Sequence, residues 1–337
     1  MSASGRLKVG VVGLGVGEQH ARTFAQHPDC RLRWLYDRDT GRARNLRDVL
    51  DEGEVAGSYD AMATDAETDI VSIASNDDDH YAQACIALDH GKHLFVEKPL
   101  CRTFREAETL KAKWSAAGKP ALDSNLVLRS APLYRWLIPF IRAGGLGRVY
   151  AVDGEYLYGR LHKITHGWRK DVDDYSVLEG GGIHMLDLML ALAEELPERV
   201  FATGNRICTE GTDFRYNDFA TAIYRFPSGV IGRLTANFGC THPHHHVIRV
   251  YGTKGTFLYD DSGPRLHTSR DPEAKPETRN EDPLPSGKGN LIPGFVDLIT
   301  SGADTAIQAQ RNFDLVCACA AADEALASQQ ETTIRYV

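Results

Sequence analysis

Short apolar runs alternate with stretches of helical period through the first third of the chain. "LKVGVVGLG" is an apolar strand running into glycines, and "EQHARTFAQH" follows with its apolar positions three and four apart. The same pairing recurs as "RLRWLYD" with "TGRARNLRDVLDE", and as "TDIVSIAS" with "DDHYAQACIALDHG", where Gly91 suits a helix C-cap. "KHLFVEKPL" with "TFREAETLKAKWSAAGK" follows, and "PALDSN" closes the series as a last strand. Strand–helix alternation of this kind predicts a parallel sheet with helices on both faces over residues 1–124.

From Asn125 the pattern changes. A helix near "PLYRWLIPFIRAGG" is followed by the β-rich runs "RVYAVDGEYLYG", "RVFATGNRICT", "DFATAIYRFPSG", "VIGRLTANFG" and "HVIRVYGTKGTFLYD". "FPSGVIG" and "YGTKGTF" read as hairpin turns. Strands in succession without helices between them predict a mostly antiparallel sheet. The polar, Pro-rich stretch 269–290 reads as a surface loop, "AQRNFDLVCACAAADEALASQQ" as a helix and "ETTIRYV" as a terminal edge strand. The fold class is therefore α/β, with a parallel nucleotide-binding-type sheet over 1–124 and a second α/β domain over 125–337.

Composition narrows the function classes. At 337 residues, 42% hydrophobic and 25% charged, the chain is ordinary for a globular protein of two domains. A formal net charge of −8 gives no basic footprint for nucleic acid. No long apolar run precedes the first strand, and none of about 18 residues occurs later, which argues against export and membrane insertion. The seven cysteines, at 30, 85, 101, 208, 240, 317 and 319, have no metal-like spacing and read as buried free thiols in a reducing cytoplasm.

The chemistry concentrates where strands end. Ligands of parallel α/β sheets bind beyond the carboxyl ends of the strands. Gly13, Gly15 and Gly17 lie between the first strand and the first helix, where glycine lets phosphates approach backbone N–H groups at a helix N-terminus. Their spacing is G-x-G-x-G, one residue short of the usual dinucleotide fingerprint. The second strand ends at Asp37, an acid able to accept from adenosine ribose hydroxyls and to repel a 2′-phosphate. This favours NAD; Arg38 next door keeps NADP as the alternative. A third strand end, "HLFVEKPL", stops on Glu97, Lys98 and Pro99. Lys98 is then a cation at the mouth of a crevice, suited to hydrogen-bond a substrate oxygen.

With "GLGVGEQHA", "SNDDDHYAQACIALDHGKHLFVEKPL" and "GGGIHMLDL" in this order, the chain resembles the glucose–fructose oxidoreductase/inositol dehydrogenase (Gfo/Idh/MocA) family. The resemblance implies a Rossmann domain plus an α/β domain with a large open sheet that often serves as an oligomer interface. It implies cofactor contacts from Gly13, Leu14, Gly15, Val16, Gly17, Asp37, Arg38, Ser75, Asn76, His80, Glu97 and Lys98. It also implies nicotinamide-dependent chemistry on sugars, cyclitols or their derivatives, a homo-oligomer (dimer or tetramer) formed through the C-terminal sheet, and a cis bond before Pro99.

In the family the histidine at the place of His184 serves as acid/base beside the lysine, a task that a near-neutral pKa suits. Asp187, three residues on, shares its helical face and is a candidate to orient it, or to hold its helix in place by pairing with a distant backbone or basic group. Relatives often carry an aspartate four residues before this histidine; here that position is Gly180, which puts the usual proton relay in doubt. The segment "EYLYGRLHKITHGWRKDVDDYS" offers Tyr158, Arg160, His162, Lys163, Trp168, Arg169 and Tyr175 as a substrate wall of stacking rings and cations. Asn125 and Arg129 are further candidates for the cleft between the domains. His242, His244, His245 and His246 invite a metal reading, but strand alternation splits them and no acid or thiol completes the set, so no metal is expected.

The leading function is hydride transfer between nicotinamide and a ring carbon of a sugar, an acidic or nucleotide-linked sugar derivative, or a cyclitol. Two alternatives share these residues: a redox-neutral glycosidase-type enzyme on a retained NAD, and a non-catalytic dinucleotide sensor.

Overall fold

The structure, a computed structural model, describes residues 5–337. In chain order the first elements are β1 (Leu7–Val12), α1 (Gly17–Gln26), β2 (Cys30–Tyr36), α2 (Thr40–Leu50), β3 (Glu54–Val55), α3 (Tyr59–Thr64), β4 (Ile70–Ile73), α4 (His80–Asp89), β5 (His93–Val96), α5 (Phe104–Ala116) and β6 (Leu122–Ser124). They continue as α6 (Pro132–Arg142), β7 (Val149–Leu157), α7 (His162–Thr165), α8 (Ile183–Ala193), β8 (Arg199–Asn205), β9 (Phe219–Arg225), β10 (Ile231–Asn237), β11 (His245–Gly252), β12 (Thr256–Asp260), β13 (Gly263–His267) and β14 (Glu277–Thr278). Last come α9 (Ile292–Thr300), α10 (Ala306–Ser328) and β15 (Thr332–Thr333).

The described residues divide into two compact units: residues 5–127, 285–316 and 337, and residues 128–284 and 317–336. This corrects the expected partition at 124/125, because 285–316 return to the first unit. The cause is packing. Ile292, Phe295 and Val296 of α9 enter the same core as Phe24, Leu35, Ile70 and Phe95, and the Phe95 and Phe295 rings lie 5.4 Å apart. Burying such side chains is worth roughly 1.5–3 kcal/mol each, and nothing local in the sequence announces so distant a partner.

The first unit is a six-stranded parallel sheet in the order β3-β2-β1-β4-β5-β6. The order reverses between β1 and β4, and this topological switch is where doubly wound sheets bind dinucleotides. The expected five strands are present. The sixth, β3, is only two residues long and has no apolar run to announce it; its register with Trp34 and Leu35 of β2 defines it. Thr103 caps α5 in a reciprocal box with Glu106, and Gly91 takes φ +67° just past α4, as expected of it.

The second unit is a nine-stranded sheet, β14-β13-β12-β11-β7-β10-β9-β8-β15, antiparallel except where β10 runs parallel to β7. Both expected hairpins form, β9–β10 and β11–β12, and β15 pairs at the edge with β8. On one face Val152, Leu234, Ala236 and Ile248 are buried. On the other, Phe201, Ile223 and Ile231 are 41%, 44% and 41% exposed. The expected loop 269–290 is mostly exposed, although its end lies against α1, where Gln19 Oε1 accepts from Lys288 N at 2.9 Å. The cysteines are free, and Cys208 is exposed rather than buried.

Candidate active site

In the first unit the three glycines do three different things. Gly13 takes φ +80°, and a Cβ there would meet the Ala74 carbonyl oxygen at 2.3 Å, so only glycine fits. A Cβ on Gly15 would meet nothing within 4 Å, which leaves the turn open to a ligand. Gly17 starts α1 in close contact with Ala74 and Val11. No side chain caps α1, so its first-turn N–H groups suit an anionic diphosphate. Asp37 is 8% exposed, and its carboxylate accepts from Leu14 N at 2.7 Å and from Asp39 N at 2.8 Å. It therefore braces the glycine turn, a duty that sequence did not show. Arg38 is held by both oxygens of Asp79 at 2.9 Å. Ser75 Oγ donates to Gln83 Oε1 at 2.7 Å, and Ser75 and Asn76 are partly exposed.

His80 is fully buried, with Nδ1 2.7 Å from the Pro99 carbonyl oxygen and Nε2 3.2 Å from that of Ser75. The ring packs between these two backbone carbonyls and shapes the turn around Pro99. The Lys98–Pro99 peptide is cis.

A polar network, missed in the sequence, supports the end of β5. His20 is fully buried on α1, with Nδ1 3.0 Å from Ser72 Oγ and Nε2 3.2 Å from Glu97 Oε1. Asn125 Nδ2 donates to Glu97 Oε1 at 2.6 Å and to the Lys288 carbonyl at 2.8 Å. Ser72 Oγ is the hydrogen-bond partner of His20 Nδ1, and His20 Nε2–H donates to the carboxylate. Burial pushes the Glu97 carboxyl up, but the His20 hydrogen bond and charge, then Lys98 and Asn125, outweigh it and hold it down to about 2. Glu97 is thus an anion fixed directly before Lys98. Asn125 is 1% exposed and serves this network. A readable signal existed for His20: it shares the buried stripe Gly17, His20, Ala21, Phe24 with apolar neighbours only.

In the second unit His184 stands in the first turn of α8 and is 6% exposed. A π-helical turn, Leu178–Gly182, leads into it. Tyr156, whose inward position on β7 sequence reasoning passed over, stacks on His184 at 6.3 Å between centroids, and Phe238 and Tyr158 extend the aromatic surface. Tyr158 and Tyr175 are buried, at 8% and 5% exposure. Arg169 lies over the Trp168 ring at 4.4 Å and Arg160 over Tyr158 at 5.6 Å, while His162 and Lys163 on α7 are exposed. His242 pairs with Asp261 at 2.9 Å, His245 stacks on Tyr259, and His244 and His246 pack together 4.8 Å apart.

Asp187 has a basic partner. It is 2% exposed, and both of its oxygens accept from Arg129, one at 2.7 Å from Nε and the other from Nη2. The pair anchors α8 to the segment before α6. Asp187→Asn leaves the half-buried guanidinium short of its counter-charge. With Arg129 26% exposed to solvent, we expect a loss of about 2 kcal/mol in chemical denaturation, with NAD affinity unchanged.

A glycine turn at the switch point, an acid closing β2 and a lysine closing β5, together with a helix-borne histidine on an aromatic surface, define a nicotinamide-dependent oxidoreductase of two α/β units. Residues 7–122 match the sequence profile described as an oxidoreductase family with an NAD-binding Rossmann fold, and residues 134–258 match the Gfo/Idh/MocA C-terminal domain. The chain belongs to the Gfo/Idh/MocA family. It is 25% identical over 267 residues to 2,7-anhydro-N-acetylneuraminate hydratase of Escherichia coli K12, covering 75% of this chain and 68% of that protein. It is 26% identical over 218 residues to inositol 2-dehydrogenase 2 of Saccharopolyspora erythraea, covering 63% and 62%. A levoglucosan dehydrogenase solved with NADH shares the fold, at TM-score 0.83 and 19% identity over 99% of this chain and all of that one. No helix among the described residues is long and apolar enough to cross a membrane.

Proposed function

We propose that the protein is an NAD-dependent dehydrogenase or reductase acting on a ring CH–OH group of a sugar, sugar derivative or cyclitol. The observation that carries this reading is Lys98, which follows an ionised, fully networked Glu97 at the carboxyl edge of an NAD-binding sheet. The nicotinamide, when bound, supplies the hydride acceptor or donor. His184 is the group suited to take the hydroxyl proton in oxidation, and Lys98 the group suited to hydrogen-bond a substrate oxygen. The rings around His184 suit the C–H face of a pyranose or cyclitol. Arg160 and Lys163 favour an acidic or nucleotide-linked derivative.

The relation to a hydratase supports a second reading, a redox-neutral conversion on a retained NAD. The exposed Phe201, Ile223 and Ile231 on the open sheet face support a homo-oligomer formed through that face, testable by sedimentation.

The test is a screen of myo-inositol, levoglucosan, UDP-N-acetylglucosamine and neutral and acidic sugars with NAD⁺ and NADP⁺, followed by NADH absorbance. We expect turnover on at least one, faster with NAD⁺ because Asp37 repels a 2′-phosphate. His184→Ala should reduce it by roughly 10²-fold or more. Substrate conversion without net NADH, on cofactor that co-purifies, would move the assignment to the redox-neutral reading. Full activity of His184→Ala would remove the histidine from the mechanism.

A further inference from the structure

Gly180 is a glycine because of a hydroxyl. A Cβ built there would stand 2.1 Å from Tyr175 Oη and 2.7 Å from its Cζ, so the phenol occupies the volume that any side chain at 180 would need. Tyr175 is 5% exposed and ringed by Trp168, Phe214 and Phe238 at 6.4, 5.9 and 6.5 Å, so packing fixes its orientation. Arg169 Nε donates to Oη at 3.0 Å, and its guanidinium lies 4.4 Å from the Trp168 ring centroid.

The place of this hydroxyl relative to His184 follows from helix geometry. Residues four apart lie on one face, and helical side chains lean toward the N-terminus over the preceding turn. The His184 imidazole therefore leans over residues 180 and 181. Tyr156 confirms the direction: it comes within 2.4 Å of a Cβ built on Gly181, and it is the ring that stacks on His184. Tyr175 Oη covers residue 180 as the Tyr156 ring covers residue 181.

We propose that Tyr175, held by Arg169, is the positioning residue for His184, and that the glycine at 180 exists to admit it. The phenol and the guanidinium behind it set the orientation and local electrostatics of the imidazole that handles the substrate proton. The proposal rests on the dehydrogenase reading only for the step that His184 serves; the contact itself is independent of it.

Two measurements on the full chain separate these. In the cofactor-free protein the His184 ring is followed by NMR through a pH titration, assigned with His184→Asn. Tyr175→Phe should move the midpoint by about half a pH unit or more, whereas Tyr216→Phe, a phenol outside this contact, should not. With the best polyol from the screen, Tyr175→Phe should lower kcat roughly 10- to 100-fold with little change in KM, and shift the pH–kcat profile. Gly180→Ala, whose methyl would push the phenol aside, should reproduce the loss. A displaced titration in Tyr175→Phe without oxidation of any polyol upholds the contact and fails the dehydrogenase reading. An unmoved titration in Tyr175→Phe overturns the proposal, whatever the activity.

Discussion

Lys98→Met is expected to lower turnover by roughly 10²- to 10⁴-fold while leaving the fold intact. Methionine keeps the length and apolar stem of lysine but can neither carry charge nor donate a hydrogen bond to a substrate oxygen. The loss corresponds to about 3–5 kcal/mol of transition-state stabilisation, the range for a positioned acid–base group. The fold should survive because other groups also hold this strand end: Glu97 is bonded by His20 and Asn125, and Pro99 O by His80. Circular dichroism and NADH fluorescence titration check the fold and the cofactor site, and steady-state kinetics the turnover. Near-normal kcat in the variant would remove Lys98 from the chemistry.

Glu97 carries the second large effect, on stability against acid. Its folded carboxyl is held down to about 2, below the ordinary 4.5. A carboxylate depressed in the folded state contributes stability that is complete above its unfolded pKa and is lost as pH falls through the folded one. The window is therefore about pH 4.5 down to 2, and the contribution at neutral pH is about 3 kcal/mol. Asp65, likewise held down to about 2, by backbone Glu67, Trp34 and Arg33 against the opposing effect of its burial, adds to the wild-type slope, so a variant must isolate the Glu97 part. In Glu97→Gln the side chain still accepts from Asn125 but no longer titrates. Denaturant unfolding at pH 6, 4 and 2.5 should show a wild-type advantage that shrinks steadily toward the acid end. Parallel pH profiles for the two proteins would mean that the network does not hold an ionised Glu97.

Both effects begin at a strand end that could be found in the sequence. "HLFVEKPL" could be recognised because a buried parallel strand is a short apolar run, and a lysine at its end breaks that pattern. Gly13, Gly15 and Gly17, Asp37 and the two hairpins were legible for the same reason: backbone turns and strand ends impose local residue requirements. His184 was legible from its motif, "GGGIHMLDL", and the resemblance it carries.

What could not be read were the partners. Asn125 supports Glu97, Asp187 pairs with Arg129 and His80 lies against the Pro99 carbonyl. Which group satisfies a buried donor or acceptor depends on chain segments tens of residues away. The return of 285–316 to the first unit has the same origin, since α9 is amphipathic in any context and only the core around Phe95 decides which sheet it covers. Gly180 shows the division most directly. The sequence by itself determined that a side chain was missing there, along with the order of strands and helices, because those follow from periodicity and backbone sterics. Only the tertiary structure decided that the Tyr175 hydroxyl fills the vacancy, because close packing is settled by which surfaces meet and not by residue order.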